Sequence, residues 1–200
     1  MSKKIEFLFD FGSPNAYLSW KAVPEIEKRT GTTFTYVPVL LGGIFKATNN
    51  VSPVIANQGI KNKGEYQFLE IERFVKKHGL TKFKFNAHFP VNTLQIMRGA
   101  IAAEMDGMLP KYLAVVMPAM WEDSQKMDDP DVIKSVLDAG GIDGAHILAR
   151  IQEPDVKAKL VANTEDAVNR GAFGIPTFFV DGDIYFGNDR LRDVEEAIGA

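Results

Sequence analysis

The sequence predicts an α/β fold in which a βαβ opening and a ββα ending share one sheet, with an all-helical block inserted between them. Three observations carry this. Alternating apolar residues near the N-terminus run into a tight turn and then a helical stripe. The middle of the chain holds only helix patterns, several of them led by proline. Strand patterns return only from Pro176 onward, where two short runs flank a glycine turn ahead of a closing helix.

Taken in order, Ile5, Phe7, Phe9 and Phe11 alternate on one register, with Leu8 on the other face. The first strand is therefore buried on its stronger face and partly on the other. Gly12-Ser13-Pro14 ends it. Ser13 has the chemistry of a helix N-cap, and Pro14 suits the first helical position. Tyr17, Leu18, Ala22 and Ile26 form a helical stripe, with a kink or break expected at Pro24. Gly31 closes this helix, and Thr33 to Leu41 reads as a second strand, parallel to the first through a right-handed crossover.

Residues 42–62 turn polar and rich in Gly, Asn and Pro, the pattern of a long loop, and such loops in compact domains tend to carry function. Helices are expected over 63–77, from an Asn92-x-x-Gln95 start signal to about Met105, and over 110–122, 129–139, 144–152 and 154–170. Pro176 to Asp181 and Ile184 to Phe186 read as strands around a Gly182-Asp183 hairpin turn. Leu191, Val194 and Ile198 mark the last helix. On this reading residues 1–60 and 165–200 make the sheet domain and residues 61–164 the helical insertion domain.

Composition narrows the function. The 200 residues are 46% hydrophobic and 24% charged, ordinary for a folded globular chain. A net charge of -3 gives no concentrated basic surface for nucleic acid. No run approaches the roughly 20 apolar residues of a membrane span. Glu6 and Asp10 interrupt the apolar run after Lys3-Lys4, so no signal peptide is read and a cytoplasmic location is expected. With no cysteine, disulfide exchange and thiolate metal sites are excluded. His78, His88 and His146 lack ligand spacing, so no metal is expected.

The chemistry concentrates at two places. Ser13-Pro14-Asn15-Ala16 stands at the strand-to-helix turn, where thioredoxin-like oxidoreductases carry Cys-Pro-x-Cys. Gly174-Ile175-Pro176-Thr177 resembles the cis-proline loop that faces that motif. Free N–H groups and the dipole at a helix N-terminus favour a negative charge, so the site suits a thiolate brought by a ligand, with the Ser13 hydroxyl donating to sulfur. Serine with no histidine base nearby in sequence is a poor nucleophile. A cis bond before Pro176 would leave the N–H and C=O of Ile175 free to pair with an extended peptide ligand. The plainer alternatives are an ordinary N-cap at Ser13 and a trans proline starting an edge strand.

An ordered set of motifs then carries a family resemblance. It comprises Phe9-Asp10-Phe11-Gly12-Ser13-Pro14 with Tyr17-Leu18, Lys46 with Asn50-x-x-Pro53, and Lys63-x-x-Tyr66 with Arg73. Phe89-Pro90-x-Asn92-Thr93, Trp121, Gly174-Ile175-Pro176-Thr177 and Phe186-Gly187-Asn188-Asp189-Arg190 follow. The chain resembles the kappa-class glutathione transferases and, more closely, the bacterial 2-hydroxychromene-2-carboxylate isomerases. The resemblance implies a thioredoxin-like sheet domain of the DsbA kind, glutathione as cofactor, a small aromatic or conjugated electrophile as substrate, and a homodimer. It implies Ser13 as the catalytic residue at the glutathione sulfur. Asn50, Lys63, Ile175, Pro176, Asn188, Asp189 and Arg190 would bind glutathione, and Lys46, Phe45 and Trp121 the electrophile. Isomerisation in aromatic-compound degradation is the leading expectation. A kappa-like transferase or peroxidase and a non-catalytic thioredoxin-like binding module are the alternatives.

Overall fold

The computed structural model describes residues 3–199. Its strands are β1 (Ile5–Phe9), β2 (Thr35–Pro38), β3 (Thr177–Val180) and β4 (Asp183–Phe186), in the sheet order β2-β1-β3-β4. β1 runs parallel to β2 and antiparallel to β3, and β3 pairs antiparallel with β4. The βαβ opening and the ββα ending do share one sheet. β1 lies between two strands and is buried along its whole length, which is why Leu8 breaks the alternation. Phe7 stacks on Phe178 across the β1–β3 pair, ring centroids 4.8 Å apart, and meets Tyr36 of β2 at 5.3 Å. Such cross-strand aromatic pairs pin the register.

Helix α1 (Pro14–Thr30) returns the chain from the end of β1 to the start of β2. Of the kink or break expected at Pro24, the break does not occur: the helix is continuous through it. Pro24 is exposed, so water can satisfy the carbonyl that loses its helical partner. β2 is also shorter than its apolar run, because Leu41 begins a helix.

The expected loop over residues 42–62 is about half helical, with α2 (Leu41–Thr48) and α3 (Pro53–Ala56). Gly42 and Gly43 suggest a loop, but Gly43 serves close packing instead. A Cβ on it would lie 3.0 Å from Thr164 Cγ2, on the helix against which α2 packs.

The helical block comprises α4 (Lys63–Lys77), α5 (Leu94–Met105), α6 (Leu109–Trp121), α7 (Pro130–Ala139), α8 (Gly144–Arg150) and α9 (Pro154–Asn169). The Asn92/Gln95 start signal is half right. The Leu94 N–H donates to Asn92 Oδ1 at 3.1 Å, whereas Gln95 turns away to the Asp128 carbonyl. The hairpin turn is Asp181-Gly182, one residue earlier than expected, with both residues at positive φ. That is the backbone a two-residue hairpin loop needs. Helix α10 (Leu191–Gly199) closes the fold on α1 and β3. One continuous hydrophobic core joins the sheet to the helical block. Among the described residues, no helix is long and apolar enough to cross a membrane.

Candidate active site

The site is built where β1 ends and α1 begins. Ser13 caps α1: its backbone is extended, and the Ala16 N–H donates to Ser13 Oγ at 3.2 Å. The hydroxyl in turn donates to the Ile175 carbonyl at 3.1 Å, across 162 residues of sequence. The Ile175–Pro176 peptide is cis. The two motifs therefore meet. One expectation is corrected: the Ile175 carbonyl is not free, because it holds the Ser13 hydroxyl. The Ile175 N–H donates to no protein acceptor among the described residues, nor does the N–H of Asn15 in the first turn of α1. Pro14 has no N–H, so these two donors and the helix dipole set the electrostatics of the turn.

Beneath the turn lies Asp10, fully buried, which motif reading does not assign to the site. Its Oδ1 accepts the Gly12 N–H at 2.8 Å, its Oδ2 accepts the Leu41 N–H at 2.8 Å, and Thr93 bonds it as well. One carboxylate thus shapes the loop ahead of Ser13 and caps the start of α2. Burial pushes its carboxyl above the ordinary value, with the three hydrogen bonds opposing. Gly12 fits because a Cβ would come within 3.1 Å of Thr93 Cγ2. The signal for Asp10 was present: a lone acid in an apolar strand needs a buried partner.

One turn further along α1, the Tyr17 hydroxyl donates to Glu122 Oε1 at 2.9 Å, and Lys21 Nζ lies 2.7 Å from the same oxygen. Burial alone would raise the Glu122 carboxyl, but hydrogen bonds from Lys21 and Tyr17 outweigh it and hold the group below its ordinary value. This network ties α1 to the end of α6.

The other expected residues fall into three groups. Asn50, Pro176 and the 188–190 turn gather around the Ile175 loop. Asn50 Nδ2 donates to the Phe173 carbonyl at 2.8 Å, and the Gly187 N–H donates to the Pro176 carbonyl at 2.9 Å. Asn188, Asp189 and Arg190 form a 3-10 turn ahead of α10 that packs against α1. Arg190 Nη1 lies 3.2 Å from Asp189 Oδ2. In the second group, Lys46 and Lys63 are exposed and Phe45 is half-buried. No hydrogen bond or ion pair among the described residues joins these three side chains to the Ser13 turn. Trp121 stands alone as a correction. It has no exposed surface, its indole N–H donates to the Phe11 carbonyl at 2.8 Å, and Phe83, Phe85 and Phe89 surround it. It supports the site from behind and lines no open pocket. Exposed aromatics beside the site that the sequence reading passes over are Phe173 and Phe186, with ring centroids 4.5 Å apart.

A helix N-terminus facing a cis-proline loop, with serine where a thiol would stand, defines a thioredoxin-like domain without its redox pair. The chain belongs to the DSBA-like thioredoxin domain family, whose model matches residues 4–199. It is 26% identical over 195 residues to a 2-hydroxychromene-2-carboxylate isomerase of Sphingobium xenophagum, covering 98% of this chain and 97% of that protein. It is 28% identical over 208 residues to glutathione S-transferase kappa 1 of Rattus norvegicus, covering 98% and 90%. A solved structure of 2-hydroxychromene-2-carboxylate isomerase superposes with a TM-score of 0.84 at 26% identity, over 98% of this chain and 94% of that one. Such full-length similarity to an isomerase and a transferase makes this chain an enzyme as well.

Proposed function

We propose that the chain is a glutathione-dependent isomerase interconverting 2-hydroxychromene-2-carboxylate and trans-o-hydroxybenzylidenepyruvate. The observation that carries this reading is Ser13 at the N-terminus of α1, hydrogen-bonded to the Ile175 loop, in a chain with no cysteine. Any reactive sulfur must then arrive with a ligand.

The residues present fit glutathione. The unpaired N–H of Ile175 can pair with an extended peptide backbone. The exposed 188–190 turn offers an acid for an ammonium and helix N–H groups for a carboxylate. When bound, glutathione supplies a thiol that can add to a conjugated carbon and leave again. With glutathione bound, Ser13 would turn its hydroxyl proton from the Ile175 carbonyl toward that sulfur, where the first turn of α1 would favour negative charge. Asn50 steadies the Phe173 end of the loop. Lys46 offers a cation for a substrate carboxylate. This reading takes a homodimer as the assembly.

Ser13→Ala is expected to cut turnover about 10- to 100-fold, some 1.4–2.8 kcal/mol in the barrier, with glutathione affinity within a few fold of wild type. Steady-state rates and calorimetry measure the two quantities. Equal turnover by mutant and wild type would remove Ser13 from the mechanism. The 28% identity to a kappa transferase supports a second reading. Conjugation of a chloronitrobenzene without chromene turnover would decide for it.

A further inference from the structure

The loop over Phe173 to Pro176 has a donor on each of its four carbonyls. Asn50 Nδ2 donates to that of Phe173 at 2.8 Å, Thr177 Oγ1 to that of Gly174 at 2.7 Å, and the Gly187 N–H to that of Pro176 at 2.9 Å. Ser13 Oγ supplies the fourth, to Ile175 at 3.1 Å, and no other donor among the described residues reaches that oxygen. The Ile175 N–H is the opposite case, with no protein acceptor among them. Neither Ser13 nor Ile175 is sealed off, since 5% of one and 6% of the other is exposed. A ligand seated on this N–H therefore meets a carbonyl that is already taken.

Of the four donors, Ser13 is the one that the proposed chemistry also calls on. A hydroxyl has one proton, so it serves the carbonyl or a sulfur, not both. A thiolate is the stronger acceptor, because charge-assisted hydrogen bonds are about twice as strong as neutral ones. The exchange needs little motion: the Ala16 N–H holds Oγ in place at 3.2 Å, and turning the O–H bond redirects the proton. What opposes it is the carbonyl left behind. A nearly buried carbonyl without a donor carries the full cost of its desolvation. An amide N–H on the ligand removes that cost. A carbonyl oxygen has two lone pairs, so the new donor can arrive before the hydroxyl leaves.

We infer that the Ile175 carbonyl is a specificity-determining group: Ser13 turns to the sulfur only when the thiol ligand brings an amide N–H to take its place. The ligand class is then a cysteinyl thiol acylated on its nitrogen, as in a peptide. A thiol without that N–H is held but leaves Ser13 on the loop. This inference deepens the glutathione reading and rests on it.

The test compares glutathione with its ester analogue, in which oxygen replaces the cysteinyl N–H and nothing else changes. Calorimetry gives the affinity of each, and ultraviolet absorbance of the thiolate gives the ionisation of each bound thiol. Bound glutathione is expected to ionise about tenfold more readily in wild type than in Ser13→Ala. With the ester analogue the two proteins are expected to agree within about twofold, because Ser13 stays on the carbonyl. The analogue is expected to bind wild type within about tenfold of glutathione, since the carbonyl keeps its donor. Ser13→Gly, a residue tolerated at a helix N-cap, is expected to match Ser13→Ala. An equal effect of Ser13→Ala on both ligands, or none on either, would overturn the inference and leave glutathione as the cofactor. So would failure of the analogue to bind at about 10 mM while glutathione binds. No binding of glutathione to wild type would overturn the glutathione reading itself, and this inference with it.

Discussion

The turn ahead of α1 and the arm formed by α4 treat their polar and apolar groups in opposite ways. At the turn, buried polar side chains are matched: Asp10 takes two backbone N–H groups, Ser13 both accepts and donates, and Trp121 bonds the Phe11 carbonyl. On α4 no residue is buried. Tyr66, Phe68 and Leu69 are all at least 40% exposed, and only Ile71, Phe74 and Val75 pack against the core. Each pairing at the turn draws on segments far apart in sequence, so the turn keeps its geometry only when the whole fold is in place. The arm is held mainly by one face of one helix, with a ring contact from Phe68 to Phe85 beside it. Chemistry that needs donors fixed to a fraction of an ångström belongs at the turn.

Substitutions at three positions would break or sharpen this contrast. Asp10→Ala should be the most damaging, because it leaves the Gly12 and Leu41 N–H groups without their acceptor. A loss of about 3 kcal/mol is expected, from about 1–3 kcal/mol per buried unsatisfied group. Denaturant unfolding measures it, and a loss below about 1 kcal/mol would deny Asp10 its structural role. Asp10→Asn, which keeps one acceptor, should fall between mutant and wild type.

The second test uses pH. Glu122 sits below its ordinary value in the folded protein, so its contribution is present above the unfolded-state pKa and is lost as pH falls through the folded one. Asp10 is raised, so the folded state takes up its proton first and that group favours folding as pH drops. Glu122→Gln should cost about 1 kcal/mol at neutral pH and flatten the acid side of the stability profile. Glu6 and Glu195 are also lowered and retain part of the slope. An unchanged acid profile would mean that the Tyr17–Glu122–Lys21 network adds nothing. On the arm, Leu69→Ala should shift stability by about 0.5 kcal/mol or less, as for other exposed positions. A loss several times larger in the same unfolding experiment would show that α4 is covered in solution.

Much of the frame was legible in the chain. Alternation over Ile5 to Phe11, the Ser13-Pro14 cap and the proline-led starts at Pro130 and Pro154 identify β1, α1, α7 and α9, because each signal lies within one element. The two motifs that meet at the site could be paired before any coordinates, through their resemblance to a known arrangement. Errors cluster where packing overrides local preference. Pro24 is tolerated because it faces solvent, and Gly43 belongs to a helix because Thr164 crosses it closely. Trp121 is core because Phe11 offers it a carbonyl.

What the sequence alone determined is an exclusion: without cysteine at position 13 or 16, no disulfide chemistry can originate in the chain. What only the tertiary structure decided is where the buried charges and donors go. The Asp10 cradle and the Ser13–Ile175 bond both depend on groups brought together from distant segments. Local periodicity records which face of an element is apolar, but a hydrogen bond depends on distance and angle between atoms that only the folded chain makes neighbours.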